Sequence, residues 1–319
     1  MKPVQILMAV FNGERYVASQ IDSILAQSYA PLRLLIRDNA STDGTWSILQ
    51  RYAADYPERV VVMPRNTENI GALGNFAAVF NAADEGYVMF ADADDVWRRD
   101  KAQAVMDRLT ELEEQHGTDT PILVHSDLSV VDADLTTIDA SFWHFQKIDP
   151  VKGCEIGRLL VCGAVTGCTL VMNSALVRLA RPIPVSAAIM HDYWISLVAA
   201  SFGVIGHVDR PLIDYRQHGR NDTGAKRWDG SLSAVLRKPW NPFNRASTHV
   251  FRSEMAQHYR QAKAFLELHG ARLSAPLRAQ ISAFVQLSER SFLARRALVI
   301  RHGFWKTGLI RNISLLTRI

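Results

Sequence analysis

Three carboxylates and an indole close an apolar run at Phe90-Ala91-Asp92-Ala93-Asp94-Asp95-Val96-Trp97. Tyr87 to Ala91 is short, apolar and preceded by Gly86, which reads as a buried strand. Side chains alternate along a strand, so Asp92 and Asp94 are expected on one side where it ends. Two anions that close repel unless something positive lies between them. A hard divalent cation, which takes oxygen ligands, meets that need. A solvated acidic turn would carry the same letters; the position at the end of an apolar strand favours the cation.

Two other stretches carry residues of chemical interest. Met190-His191-Asp192-Tyr193-Trp194 opens a helix to about Ser201, and an Asp in a first turn is either a cap and dipole partner or a catalytic carboxylate. Tyr215-Arg216-Gln217-His218-Gly219-Arg220-Asn221 follows a strand. A lone His is often structural; beside two arginines it also suits a metal or a diphosphate.

The elements that must position these groups follow from periodicity. Val4–Val10, Leu32–Ile36 and Val60–Met63 read as strands, alternating with helices at Glu14–Ser28, Thr45–Tyr56 and Gly71 to about Ala83. Ser41, Thr42 or Asp43 suits the cap of the second helix. The strands are apolar on both faces, which implies parallel pairing under helices, an open and mostly parallel α/β sheet. Ligands of such sheets bind beyond the carboxyl ends of the strands. Asn12, Glu14, Asp38, Asp92 and Asp94 all fall there, delivered by three separate strands. The first turn has neither Gly-x-Gly-x-x-Gly nor Gly-x-x-x-x-Gly-Lys, which argues against a dinucleotide cofactor and that type of ATPase.

Further on, Arg98–Gln115 reads as a charged helix and Pro121–Val131 as a strand with Asp127 and Asp132 near its end. Ser141–Pro150 is aromatic and irregular, and its rings suit either core packing or a sugar platform. Gly163–Val171 has small residues, as if backbone passed close to a ligand or another strand. Val204–Tyr215 reads as a hairpin or strand pair.

With 319 residues, 48% hydrophobic and 21% charged, the chain has the composition of a soluble globular protein. Its start shows no cleavable signal pattern, and its longest apolar stretch, the 14 residues Leu159–Met172, is too short and too interrupted to span a bilayer. Cys154, Cys162 and Cys168 lack metal-site spacing and read as small buried residues of a reducing cytosol. Charge divides the chain. Trp240–Ile319 holds 13 basic and 3 acidic residues, and the other 239 residues hold 23 and 29. We therefore expect a body at 1–239 and a basic helical region at 240–319, with Pro239 and Pro242 at the boundary and amphipathic helices at His249–His269 and Pro276–Ile300. From Arg290 onward basic and apolar residues interleave without an acid, which suits either an anionic membrane surface or packing against the body.

Taken in order, these motifs resemble the family 2 glycosyltransferases of bacteria. Ala9-Val10-Phe11-Asn12-Gly13-Glu14-Arg15-Tyr16 with Gln20–Gln27 is similar to the family's opening. Arg37-Asp38-Asn39-Ala40-Ser41-Thr42-Asp43-Gly44-Thr45 resembles its second loop, with Ala40 where Gly is commoner. Asp92-Ala93-Asp94-Asp95-Val96-Trp97 resembles the Asp-Gln-Asp-Asp-x-Trp box of rhamnosyltransferase-like members, with Ala93 replacing Gln. Thr166-Gly167-Cys168-Thr169, His191-Asp192-Tyr193-Trp194 and Tyr215-Arg216-Gln217-His218-Gly219 are similar to that subgroup too. The likeness covers about residues 4–225.

The resemblance implies a GT-A fold, a nucleotide-diphosphate sugar donor and inversion at the anomeric carbon. Ala9, Phe11, Asn12 and Glu14 would border the nucleoside, with Asn75 in the same donor-binding set. Asp38 would accept from the base, and Asp92 would meet the ribose or the metal shell. Asp94 and His218 would hold Mg²⁺ or Mn²⁺, Arg216 would meet the diphosphate, and Asp192 would be the general base. The expected activity is transfer of rhamnose from dTDP-rhamnose to a surface-polysaccharide (O-antigen type) or lipid-linked oligosaccharide acceptor. The expected place is the cytoplasm or the inner face of its membrane, with no nucleic acid as partner. A UDP-hexose donor is the nearest alternative. A non-catalytic carbohydrate- or membrane-binding protein is the alternative of another class.

Overall fold

A computed structural model describes residues 2–219 and 245–319. Its first half is the expected alternation. Strands β1 (Val4–Val10), β2 (Leu32–Asp38), β3 (Val60–Val62) and β4 (Tyr87–Ala91) are joined by helices α1 (Val17–Leu25), α2 (Thr45–Asp55) and α3 (Gly71–Ala82). The four strands are parallel in the order β3-β2-β1-β4. Register levels their carboxyl ends: Val10 lies opposite Asp38, and Met8 opposite Ala91. The loops after β1, β2 and β4 thus leave from one edge.

The second half is mixed. β5 (Val96–Trp97) follows the acidic turn, and α4 (Lys101–His116) leads to β6 (Ile122–Val131) and its short neighbour β7 (Thr137–Asp139). β8 (Val171–Met172) runs antiparallel between β4 and β6, and β9 (Val204–Arg216) lies parallel to β6. β5 pairs antiparallel with β9, Val96 opposite Asp214, which brings the end of β9 back beside Asp94 and Asp95. β9 is one 13-residue strand, not the expected hairpin or pair. A bulge accommodates Pro211: Ser126 faces Val208, while Asp127 already faces Pro211.

The other helices are α5 (Phe142–Gln146), α6 (Ile156–Leu159), α7 (Ser174–Ala180), α8 (His191–Phe202), α9 (Arg245–His269), α10 (Ala275–Val285), α11 (Phe292–His302) and α12 (Leu309–Arg318). The Ser141–Pro150 stretch is therefore partly helical: the Ser141 hydroxyl caps α5 by accepting from the His144 N–H at 3.0 Å. Trp143 and Phe145 turn inward as core, while exposed His144 and an edge of Trp143 line a cavity with Asp127 and His207. The single helix expected over 276–300 is two. Buried Leu287 anchors a 3₁₀ turn at Gln286–Glu289, and extended Ser291 starts α11.

The sheet buries both faces. Leu7, Val88 and Phe90 point into a core shared with α3, α7 and α8, while their neighbours Ile6, Met8 and Met89 point to the side of α1 and α4. The first core continues without a break into the C-terminal helices through Met255, Phe265, Phe284, Val299, Phe304 and Leu315. The expected boundary at 239/240, with Pro239, Trp240 and Pro242, lies outside the described residues, as do Arg220 and Asn221. No helix among the described residues is long and apolar enough to cross a membrane.

Candidate active site

β4 stops at Ala91, so strand alternation ends one residue before the carboxylates. Asp92 and Asp94 accordingly take different company. Asp94 Oδ2 lies 2.8 Å from His218 Nε2, joining residues 124 apart in sequence. Asp92 groups with Asp95 and Cys168, their ligand atoms all within 4.8 Å of one another. Arg216 is buried and pins the turn: its N–H donates to Asp95 Oδ1 (3.1 Å), Nε to the Asp94 carbonyl (2.8 Å) and Nη1 to the Ala133 carbonyl (2.6 Å). Sequence reasoning offered Arg216 to a diphosphate; these bonds show it bracing the acidic loop. Oxygen donors with one imidazole suit Mg²⁺ or Mn²⁺. Asp94 and His218 are donors of that kind, whereas the Asp92 and Asp95 group also includes the softer Cys168 thiol.

The β1 and β2 loops are stitched into a second wall. Asn12, at φ 49°, accepts from the Thr42 N–H at 2.9 Å, and its own N–H donates to Ser41 Oγ at 2.9 Å. Glu14 Oε2 accepts from the Gly44 N–H at 2.9 Å, where the positive end of α2 favours a carboxylate. The cap position of α2 falls to Gly44 and not to Ser41, Thr42 or Asp43; Asp43, just before it, accepts from the Thr45 N–H at 3.0 Å. Asp38 is buried and accepts from the Ser41 hydroxyl and N–H. Phe11 leaves its ring half exposed beyond β1, whereas Ala9 sits partly buried within the strand. Asn75 is set behind this wall: it accepts from Arg37 Nη1 at 2.5 Å and donates to the Val10 and Arg37 carbonyls at 3.3 Å. It ties β1 to β2 rather than facing outward.

The two walls touch. A Cβ added at Gly13 would lie 3.7 Å from that of Ala93. Tyr16 stacks on His218 with centroids 4.9 Å apart, and the Arg216 guanidinium lies 4.6 Å from the same ring. Asp192 joins through the 166–169 turn. Its Oδ2 accepts from the Gly167 N–H at 3.0 Å and its Oδ1 from the Tyr193 N–H at 2.8 Å. The next residue, Cys168, reaches Asp92 and Asp95. Burial pushes the Asp192 carboxyl up to about 6 against the pull of those two N–H groups. Beside it, burial holds the His191 imidazole down to about 3, hence neutral, with its ring 4.1 Å from Phe76 and 4.5 Å from Phe90.

Several neighbours were not singled out from sequence. Asp95 is fully buried, and desolvation, then Asp94 and Asp92, push its carboxyl well above the usual range. Lys101 is also fully buried, 3.2 Å from the Trp97 ring centroid, and burial lowers its ammonium to about 7. A Lys at the start of a charged helix reads as solvated; only tertiary packing shows otherwise. Tyr16 sits at the cap position of α1, and its ring contacts carry no sequence signal.

Residues 5–121 match the family model described as glycosyl transferase family 2. This stretch resembles a family 2 glycosyltransferase domain. An uncharacterized glycosyltransferase of Nostoc sp. is 28% identical over 223 residues, 69% of this chain and 66% of that protein. The dTDP-rhamnosyl transferase RfbG of Shigella flexneri is 25% identical over 228 residues, 68% of this chain and 74% of its own. The chain thus spans just under two thirds of the first relative and about three quarters of the second. The crystal structure of S. aureus TarS 1–349 superposes with a TM-score of 0.56 at 15% identity, over 90% of this chain and 72% of that one, and shows the fold to be the same GT-A-like sheet. The matched glycosyltransferase stretch contains both loops and the acidic turn; Asp192, Arg216 and His218 come from beyond it.

Proposed function

We propose that the protein is an inverting glycosyltransferase moving a sugar from a nucleotide-diphosphate donor to a hydroxyl of a surface-polysaccharide or lipid-linked oligosaccharide acceptor. The observation that carries this reading is the meeting of Asp94 with His218 at one sheet edge, 2.8 Å apart, beside the turn that holds Asp192. The site residues take the following roles. Phe11, Asn12, Glu14 and Asp38 form the wall for the nucleoside, with Ala9 beneath and Asn75 positioning it. Asp94 and His218, with Asp92 nearby, would hold Mg²⁺ or Mn²⁺. When bound, such an ion offsets charge growing on the departing diphosphate. Arg216 keeps the loop in place and adds positive charge beneath it.

Asp192 acts on the acceptor. Its carboxylate takes the hydroxyl proton as that oxygen bonds to the anomeric carbon. The bond from that carbon to the diphosphate oxygen breaks, and its electron pair leaves with the nucleotide. A base poised at about 6 is largely ionised at neutral pH yet still basic enough to accept the proton. Retention through a covalent sugar would need a second carboxylate across the ring, a role the proposed set assigns to no residue.

The first donor we propose is dTDP-rhamnose, supported by the Shigella relative's name and by the subgroup motifs. A UDP-hexose is the second reading. Incubation with a panel of dTDP- and UDP-sugars plus Mn²⁺, with mass spectrometry of the released nucleotide, separates them. Release of dTDP from dTDP-rhamnose alone supports the first; UDP release alone supports the second. No release from any donor, and no effect of EDTA on donor binding, would return the non-catalytic reading.

A further inference from the structure

We infer that α11 and α12 form a fixed docking face for an anionic lipid surface. The first observation is apolar exposure in register. On α11, Phe292, Leu293 and Ile300 are 63%, 77% and 62% exposed; Leu293 and Ile300, seven residues apart, share one stripe, and Phe292 lies at its edge where the helix begins. On α12, Leu309 and Ile313 are 76% and 41% exposed, one turn apart. These are large side chains at positions where a helix packed only on its own protein would carry polar residues.

The second observation is charge. Residues 290–319 hold seven Lys and Arg and no Asp or Glu, while the 239 residues before Trp240 carry a net −6. Arg290 and Arg301 are exposed at the two ends of α11. Arg296 lies over the exposed Phe292 ring, so a cation stands beside an apolar group at the surface. Apolar groups that enter the acyl boundary, flanked by cations that meet headgroup phosphates, complement an anionic bilayer rather than a neutral one.

The third observation is attachment. The face is not a loose tail. The Arg311 guanidinium reaches the Gln146 Oε1 at 3.1 Å, and Gln280 Nε2 donates to the His302 carbonyl at 2.8 Å. Gly157 lies so close to the His302 and Gly303 carbonyls that an added Cβ would sit 2.6 Å from both oxygens. Val299, Phe304 and Leu315, from the same two helices and their link, are buried in the main core. A surface held this way sets the height and tilt of the sheet edge above the lipid, which suits an acceptor carried on a lipid. The inference rests on the glycosyltransferase reading only for that last consequence; docking itself does not.

The test is sedimentation of the full chain with vesicles of phosphatidylcholine alone and with a third phosphatidylglycerol. Binding to the anionic vesicles only, weakened by added salt, is expected. Leu293→Ser with Leu309→Ser should lower the bound fraction at least about tenfold. Arg290→Glu with Arg301→Glu should do the same on anionic vesicles. All four positions are exposed, so the fold is kept, and nucleotide release from soluble donor should match wild type. The proposal is overturned if the wild-type chain stays in the supernatant with both vesicles, or if both double variants bind as wild type does. Capture by a soluble polyanion such as heparin without vesicle binding also overturns it. Each of these results leaves the donor assay standing, so the two readings fail separately.

Discussion

Asp192 carries opposing influences that give its role a measurable pH signature. Two backbone N–H groups favour its anion, yet burial outweighs them and leaves the carboxyl at about 6, above the usual aspartate range. The proton-accepting form is therefore present above about pH 6 and is lost as pH falls through it. Transfer rate should drop on an acid limb near 6, about tenfold per unit below it, read from initial rates across pH 4.5–8. Asp192→Asn should cut turnover by about 10²–10⁴-fold while leaving donor affinity within a factor of a few. A variant that keeps wild-type turnover would remove Asp192 from the mechanism. At the other wall, Asp94→Ala should abolish the Mn²⁺-dependent part of donor binding. Calorimetric titration with and without EDTA reads this, and an unchanged Mn²⁺ effect would count against Asp94 as a ligand. His218→Ala should weaken that effect less, because one imidazole adds less charge than a carboxylate.

What the elements add is the placing of those residues, and here the sequence was legible unevenly. The β1–β4 alternation shows in apolar runs of the right length, so Asp38 and the Asp92–Asp95 turn fall at the same edge by counting alone. β9 was harder. Pro211 signals a break by local rules, and only pairing with β6 shows a bulge that absorbs it. Yet β9 delivers His218 to Asp94, so the contact the site depends on is a long-range one. The buried states of Asp95 and Lys101 were hidden for the same reason: letters show charge, and only packing shows desolvation. The unexpected link is between α8 and α9. Gln261 Oε1 accepts from the Ile189 N–H at 2.9 Å, three residues before Asp192, and Trp194 meets Phe265 edge-on at 5.5 Å. Gln261→Ala should leave that N–H unpaired, costing about 1–3 kcal/mol, a fall of a few degrees in Tm. It should also lower kcat more than it raises the donor KM, since the loop it holds leads to the base and not to the nucleotide wall. Differential scanning fluorimetry and steady-state kinetics check both; a KM effect alone would mean the loop touches donor.

At the scale of the whole molecule the charge division and the packing point in different directions. Composition splits the chain near 240 into an acidic body and a basic end, as two units would. The core does not split there. Phe90 of β4, Trp194 of α8, and Phe265, Phe284, Phe304 and Leu315 of the last helices belong to one continuous apolar cluster. Removing a single such side chain to Ala costs about 3–5 kcal/mol for Phe or Trp, and whole domains are stable by only about 5–15 kcal/mol. Deleting α9–α12 uncovers several at once, Trp194 of α8 among them. A chain ended at residue 239 should therefore fail to give a cooperative melt near that of the full protein, and should aggregate or expose dye-binding surface at 25 °C. Circular dichroism melts with size-exclusion chromatography of the two chains decide it. If the shortened chain melted cooperatively within a few degrees of the full one, the C-terminal helices would be an appendage. The shared core implies instead that they are a layer packed on α8, the helix whose first turn holds Asp192, and that the basic outer face was built onto a part the fold needs in any case.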